Sequence, residues 1–342
     1  MNIKKLEKFL RESGQPRFRL EQITKAVYQG GVLSFSEISN LPQNFREKLD
    51  QKIKILFFTA EKILISRDKL SVKALLRLSD GNFIETVLIS PKPDMYSVCI
   101  SCQVGCPMKC AFCATGKMGF KRNLTAEEIS DQVLFWKNYL KNNNAGEKIS
   151  NIVYMGMGEP FLNWENVRES LEILTDEKKF GFGSRSISVS TCGIPIGINK
   201  LFQDFPQINL AVSLHFAKDE KRSQSMPINK KYNLSELKKA LEKYFSRCNR
   251  KVFLEYILFD KINDGEKDAK NLIEYIKSFK KPYLLHVNLI RYNEAGNKFK
   301  ASSAENTRKF KKYLEEENVN VSVRKSLGAD IGGACGQLAG KL

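Results

Sequence analysis

CISCQVGCPMKCAFCATG, residues 99–116, holds five of the chain's eight cysteines. Within it Cys106, Cys110 and Cys113 are spaced Cys-x3-Cys-x2-Cys, so three thiolates can converge on one inorganic centre. A structural zinc ordinarily takes four protein ligands, often as two separated Cys-x2-Cys pairs. Only His215 and His286 exist to complete such a site, and neither is near in sequence. A four-iron cluster held by three cysteines follows another logic: one iron stays open for an exchangeable ligand, and soft thiolates suit it. On spacing alone, zinc, a disulfide staple and an iron–sulfur centre all stay open.

Composition narrows the setting. The 342 residues are 42% hydrophobic and 27% charged, ordinary for a chain that buries a real core, in one large domain or a core with a smaller partner. No apolar run is long enough to suggest a transmembrane helix. The opening MNIKKLEKFLRES is charged and helix-patterned, unlike a signal peptide, so a cytoplasmic location is expected. Thiols there are mostly kept reduced, which favours metal or catalysis over structural disulfides. The 56 basic residues against 38 acidic ones give a net charge of +18. That surplus fits a polyanionic partner such as RNA, or simply a lysine-rich proteome.

Working outward from the cysteines, residues 4–50 read as short helices. Leu6, Phe9 and Leu10 form one apolar stripe, Ile23, Ala26 and Val27 another, and LPQNFREKLDQKI a third. VKALLRLSDGNFIETVLI carries two β-favouring runs around Asp80-Gly81, a hairpin signal, and SPKPDM reads as a linker. Strands are then expected near 96–100, 149–154, 186–190, 208–214, 252–258, 284–290 and 319–323, with helical patterns between most of them. Thr125 and Glu128 form a capping box at one helix start. Regular βα alternation implies a mainly parallel sheet, and fewer than eight units implies an incomplete barrel or open sheet.

In parallel α/β folds, ligands sit beyond the carboxyl ends of the strands. Here those ends carry Gly156-Met157-Gly158-Glu159-Pro160, Ser190-Thr191-Cys192-Gly193, Ser213-Leu214-His215 and, past LIRYN, Asn293. Each alone is weak: Gly-x-Gly is often a turn, and a strand histidine is often a satisfied core residue. Together they suggest one shared pocket.

With Phe112 just before the last of the three cysteines, the spacing resembles the radical S-adenosylmethionine (SAM) superfamily, in which the open iron chelates SAM and electron transfer yields a 5′-deoxyadenosyl radical. The resemblance tightens over nearly the whole chain. CQVGCPMKCAFCATGKMGFKRNLTAEEI, YMGMGEPFLN, SVSTCG, SLH, MPIN and VRKSLGADIGGACGQLAG resemble, in order, the RlmN/Cfr family of radical SAM RNA methyltransferases. It implies a partial (β/α)6 barrel over 95–342, a helical RNA-binding accessory domain over 1–53, and a β-hairpin extension with linker over 54–94. It implies methylation of adenine C2 in 23S rRNA and of the adenine 3′ of the tRNA anticodon, by a cytoplasmic monomer fed by a donor such as flavodoxin or ferredoxin. It also implies one 4Fe-4S cluster on Cys106, Cys110 and Cys113, and two SAM molecules per turnover.

By the same resemblance Gly158, Glu159, Ser190, Ser213, Leu214, His215 and Asn293 contact SAM. Cys335 carries an S-methyl group and then a covalent RNA adduct, Cys99 resolves that adduct through a transient disulfide, and Glu85 is the general base. Read without the family, Cys335 would pass for a small buried hydrophobe and Glu85 for a solvated strand residue. Cys192 and Cys248 are expected to have no chemical role. Cys102 stands where the family commonly has Ser or Thr, either a neutral replacement or a competitor of Cys99. The rival within the family is Cfr-like methylation at C8: the proline of MGMGEPFLN favours C2, whereas LIRYN resembles the Cfr version. A rival from another class is an RNA-binding protein with a structural metal, for which Cys335 would be idle.

Overall fold

The computed structural model describes residues 1–92, 95–143, 148–296 and 298–340. Helices α1 (Ile3–Glu12), α2 (Phe18–Thr24, running into a π turn) and α3 (Gln43–Lys52) come first. Leu6 and Leu10, one turn apart on α1, are buried with Ile23, Val27, Phe35, Phe45 and Leu49 in a core of their own. That core closes on Ala126, Leu134 and Ile173, so the accessory domain docks through apolar contact onto the helices behind the sheet.

Strands β1 (Phe58–Ile65), β2 (Ser71–Leu78) and β3 (Phe83–Lys92) form an antiparallel meander, with the turn expected at Asp80-Gly81 between β2 and β3. β1 escapes the sequence pattern because it is a mostly exposed edge strand, whose Glu61 and Lys62 discourage further pairing. The linker expected at 90–95 is largely strand: Ser90, Pro91 and Lys92 end β3, and Met95 opens β4 (Met95–Cys99). Pro93 and Asp94 lie outside the described residues.

From β4 onward the sheet is parallel. A ribbon of β5 (Gln103–Gly105) and β6 (Phe120–Asn123) brackets the cysteine loop and the short α4 (Ala114–Lys117). Then follow α5 (Ala126–Asn142), β7 (Ile149–Tyr154), α6 (Trp164–Thr175), β8 (Ile187–Thr191), α7 (Pro195–Asp204) and β9 (Asn209–Ser213). Next come α8 (Asp219–Ser225), α9 (Leu234–Arg247), β10 (Val252–Leu258), α10 (Glu266–Lys277), β11 (Leu285–Arg291), α11 (Ala304–Glu316) and β12 (Val321–Arg324). The capping box of α5 is formed in both directions between Thr125 and Glu128. Among the described residues the main sheet runs β1-β2-β3-β4-β7-β8-β9-β10-β11-β12, and β1 and β12 do not pair, so it is open. β4, β7, β8, β9, β10 and β11, each followed by a covering helix, make the expected partial (β/α)6 barrel, and β12 adds a final strand. Among the described residues no helix is long and apolar enough to cross a membrane.

Candidate active site

A cavity of about 390 Å³ opens at the carboxyl ends of the parallel strands. Parallel pairing stacks those ends side by side, which is how residues far apart in sequence reach one wall. Cys106, Cys110 and Cys113 all line it. Their loop is fixed by backbone: Cys106 N–H donates to the Gly119 carbonyl at 2.9 Å, Cys113 N–H to Cys110 at 3.1 Å, and Ala111 N–H to Ser225 at 2.9 Å. A Cβ at Gly116 would come within 3.0 Å of the Cys110 backbone, so the loop can wrap tightly only over glycine. Phe112 anchors it from inside, edge-on to His215 at 5.0 Å and against Phe259 at 5.3 Å.

The donor set fits a multinuclear iron centre. Burial pushes the Cys106 thiol up to about 12. Cys110 rises with burial and with the neighbouring Cys113 and Cys106 sulfurs, against the pull of Arg222. Bare thiols in this setting resist ionisation, and a bound cationic centre is what makes them thiolates. Among the described residues no three His, Cys, Asp or Glu side chains converge as a site for a single metal ion. A four-iron cube distributes its ligands over separate irons and needs no such point.

Of the seven residues matched to SAM contacts, Gly158, Glu159, Ser190, Ser213 and His215 line the same cavity. Glu159 is buried, and burial raises its carboxyl above the usual range against the N–H groups of Cys192 (2.7 Å) and Phe161 (3.1 Å). His215 is brought down to about 3 by burial and by Arg222, and its Nδ1 accepts Ile257 N–H at 3.2 Å. The ring is thus neutral near pH 7 with its proton on Nε2. Leu214 and Asn293 stand behind the wall. Leu214 is buried in the core, while Asn293 Nδ2 donates to the Cys335 carbonyl at 3.3 Å and Oδ1 accepts Ser326 Oγ at 2.6 Å. Gly158 has φ +108°, and a Cβ there would sit 2.7 Å from Gln103 Cβ. Gly158→Ala should therefore cost about 1–3 kcal/mol, seen as a lower melting temperature; an unchanged one would mean that the strand end has room.

Cys99, the last residue of β4, and Cys335 line the cavity as well. All eight cysteines are free thiols, so the implied disulfide is not formed in this structure. The Cys335 segment is bound directly to the cysteine loop: Ala114 N–H donates to the Gly336 carbonyl at 2.8 Å and Thr115 Oγ1 to Leu338 at 2.7 Å. Cys102 is buried and absent from the lining, its Sγ 3.7 Å from the Met157 carbonyl, whereas Cys192 lines the cavity. Glu85 is elsewhere. It lines a second cavity under the Cys335 segment, where Oε1 meets Lys73 Nζ at 2.7 Å and Oε2 accepts the N–H groups of Ala339 (2.6 Å) and Gly340 (3.1 Å).

Comparison with known proteins gives the chain's family. Residues 100–273 match the radical SAM superfamily, and residues 1–55 match the ribosomal RNA large subunit methyltransferase N-terminal domain. The chain is 41% identical to a probable dual-specificity RNA methyltransferase RlmN of Syntrophomonas wolfei, over 99% of this chain and 95% of that one. It belongs to the RlmN family of radical SAM methyltransferases. A dual-specificity RNA methyltransferase RlmN of Desulfotalea psychrophila is 42% identical over 98% of this chain and 92% of its own length. A ribosomal RNA large subunit methyltransferase Cfr of Bacillus velezensis is 38% identical over 98% and 95%. A crystal structure of a radical SAM methyltransferase from Sphaerobacter thermophilus superposes with TM-score 0.92 at 38% identity, over 100% of this chain and 98% of that one. Membership implies a 4Fe-4S cluster and SAM, and the thiol triad fits that implication.

Three charged residues of this RlmN-family site escape motif reading. Arg222 is fully buried, and its guanidinium donates to the carbonyls of Cys192 (2.7 Å), Leu214 (3.2 Å) and Ser213 (3.3 Å) and to Asn229 Oδ1 (2.7 Å), clamping the ends of β8 and β9. Glu255 and Arg324 line the cavity, 3.7 Å apart. For Glu255 the sign was a carboxylate inside the apolar run VFLEYIL.

Proposed function

We propose that this chain methylates C2 of an adenine in 23S rRNA, and of the adenine 3′ of the tRNA anticodon, through an S-methylated Cys335. The observation that carries the reading is that one cavity brings Cys335 and Cys99 together with the triad of Cys106, Cys110 and Cys113. Adenine C2 lies between two ring nitrogens and has no lone pair, so it does not displace a methyl group as a nucleophile. When bound, the 4Fe-4S cluster and SAM supply a radical that abstracts hydrogen, with two SAM consumed per turnover.

The chain's own residues do the rest. Cys106, Cys110 and Cys113 hold the cluster, while Gly158, Glu159, Ser190, Ser213 and His215 hold and orient SAM, with Leu214 and Asn293 supporting that wall from behind. Cys335 presents its one-carbon group to C2 and becomes bonded to the base through it. The Cys99 thiolate then attacks the Cys335 sulfur: an S–S bond forms, the S–C bond breaks, and its electron pair stays with the carbon, which takes a proton. A thiol reductant restores the two cysteines. Glu85 accepts the C2 proton, a role that requires the Ala339-Gly340 amides to release its carboxylate. The +18 charge and the helical domain over 1–53 suit a grip on RNA. The enzyme works as a cytoplasmic monomer with flavodoxin or ferredoxin as electron donor.

The test is anaerobic reconstitution followed by incubation with 23S rRNA fragments and tRNA. The chain should hold about four irons and yield 2-methyladenosine by nucleoside mass spectrometry. Product that is only 8-methyladenosine would transfer the chain to Cfr chemistry, and stoichiometric zinc in place of iron would overturn the radical route.

A further inference from the structure

Cys99 has a chemical difficulty that its neighbours address. A resolving thiol must ionise to attack, yet Cys99 is only 8% exposed, and burial pushes it up to about 12. Its partners in the sheet are Val87 on β3 and Val153 on β7, and neither titrates. Sharing the cavity lining with it are the Cys335 thiol, which opposes its ionisation, Arg324, which favours it, and Glu255 and Lys325. A backbone N–H from Met155 also reaches the Cys99 sulfur.

Arg324 ends β12, held by parallel pairing with Ile290. Its Nη1 lies 3.4 Å from Met155 Sδ and 3.7 Å from Glu255 Oε2. Glu255 is 4% exposed, its Oε1 accepts Asn288 Nδ2 at 2.9 Å, and its buried Oε2 has no hydrogen-bond partner. A buried carboxylate left this way holds a nearby cation by charge rather than by a tight fork. Strand pairing and Met155 place the guanidinium, and Glu255 counters it only in part, so its charge still acts on the Cys335 and Cys99 sulfurs.

We propose that Arg324 is the positioning cation that makes the Cys99 sulfur a competent nucleophile, with Glu255 as a partial counter-charge that moderates it. The proposal rests on the resolving role of Cys99 given above. A merely structural ion pair would leave the ionisation of Cys99 alone or disturb it in the same sense whichever partner is changed. An electrostatic role predicts opposite signs.

The experiment follows iodoacetamide alkylation of Cys99 against pH in the full chain, quantified by peptide mass spectrometry. In Arg324→Gln the profile should move to higher pH, and alkylation at pH 8 should fall about tenfold for every pH unit by which its midpoint rises. Arg324→Lys should keep most of the wild-type profile. Glu255→Gln, which keeps shape and removes the counter-charge, should move the profile to lower pH, so the idea stays testable even where Arg324→Gln fails to fold. A wild-type profile in Arg324→Gln, or a move to higher pH in Glu255→Gln, would overturn it. This assay needs no RNA and reads only the charge acting on Cys99, so its failure is distinct from a failure to trap an RNA adduct, which reads the role of Cys99 itself.

Discussion

Cys99→Ala should accumulate protein covalently joined to RNA, visible as a slow-migrating band that nuclease collapses, while methylated product falls at least about 100-fold. The substitution leaves Cys335 in place, so the bond to the base can form, and removes the sulfur that would break it. Cys335→Ala should give neither adduct nor product, because it removes the sulfur through which the proposed scheme joins the chain to the base. The pair of results separates two roles that a single loss of activity would merge. Cys99 is a buried strand residue with apolar partners on both sides, so alanine fits there with little strain. Methylation at the wild-type rate by Cys335→Ala would end the two-cysteine scheme. Cys102, which sits outside the cavity, provides the control: Cys102→Ser should trap nothing.

The parallel strands were readable because a strand buried on both faces spells a near-continuous apolar run, as in VFLEYIL of β10, or keeps apolar residues at every second position, as in LHVNLIR of β11. β1 was not, because an exposed edge strand has no face that must be apolar. β5 and β6 are too short to show a period, and their pairing is set by the loop that they bracket. At the site, motif reading reached the thiols and the strand-end residues, which lie within short quotable stretches. It did not reach Arg222, Glu255 or Arg324, whose partners come from other strands and meet only through the tertiary fold. Nor did it separate the residues of the cavity wall from Leu214, Asn293 and Glu85, which stand behind or away from it. That distinction depends on side-chain direction, which spacing alone does not carry.

Glu85→Gln is the second large effect expected. Glu85 is 1% exposed and Lys73 9%, so their 2.7 Å contact is a buried ion pair. Removing one charge of such a pair typically costs about 3–5 kcal/mol. The neutral amide also carries a donor where the carboxylate had only acceptors, so it must face either Lys73 Nζ or the Ala339 and Gly340 N–H groups with the wrong polarity. The variant should melt at lower temperature, and limited proteolysis should cut within residues 328–340 faster than in the parent chain. Unchanged cleavage and melting would show that this carboxylate does not hold the segment. Activity lost while both stay unchanged would leave Glu85 with the base role alone.

The segment that bears Cys335 is secured by partners far back along the chain. Asp330 receives the Arg67 N–H, Leu338 receives Thr115 Oγ1, and Ala339 binds Glu85, across separations of 263, 223 and 254 residues. Contacts of that span close the longest loops and form once the intervening sheet is built. Chains are also synthesised from the amino end, so this segment emerges after every strand on which it rests. Delivery of Cys335 is therefore expected late in folding. A nascent or half-folded chain thus holds the thiols of β4 and of the cysteine loop before Cys335 reaches them. The long-range ties act as a built-in assembly order, admitting Cys335 only to a finished barrel.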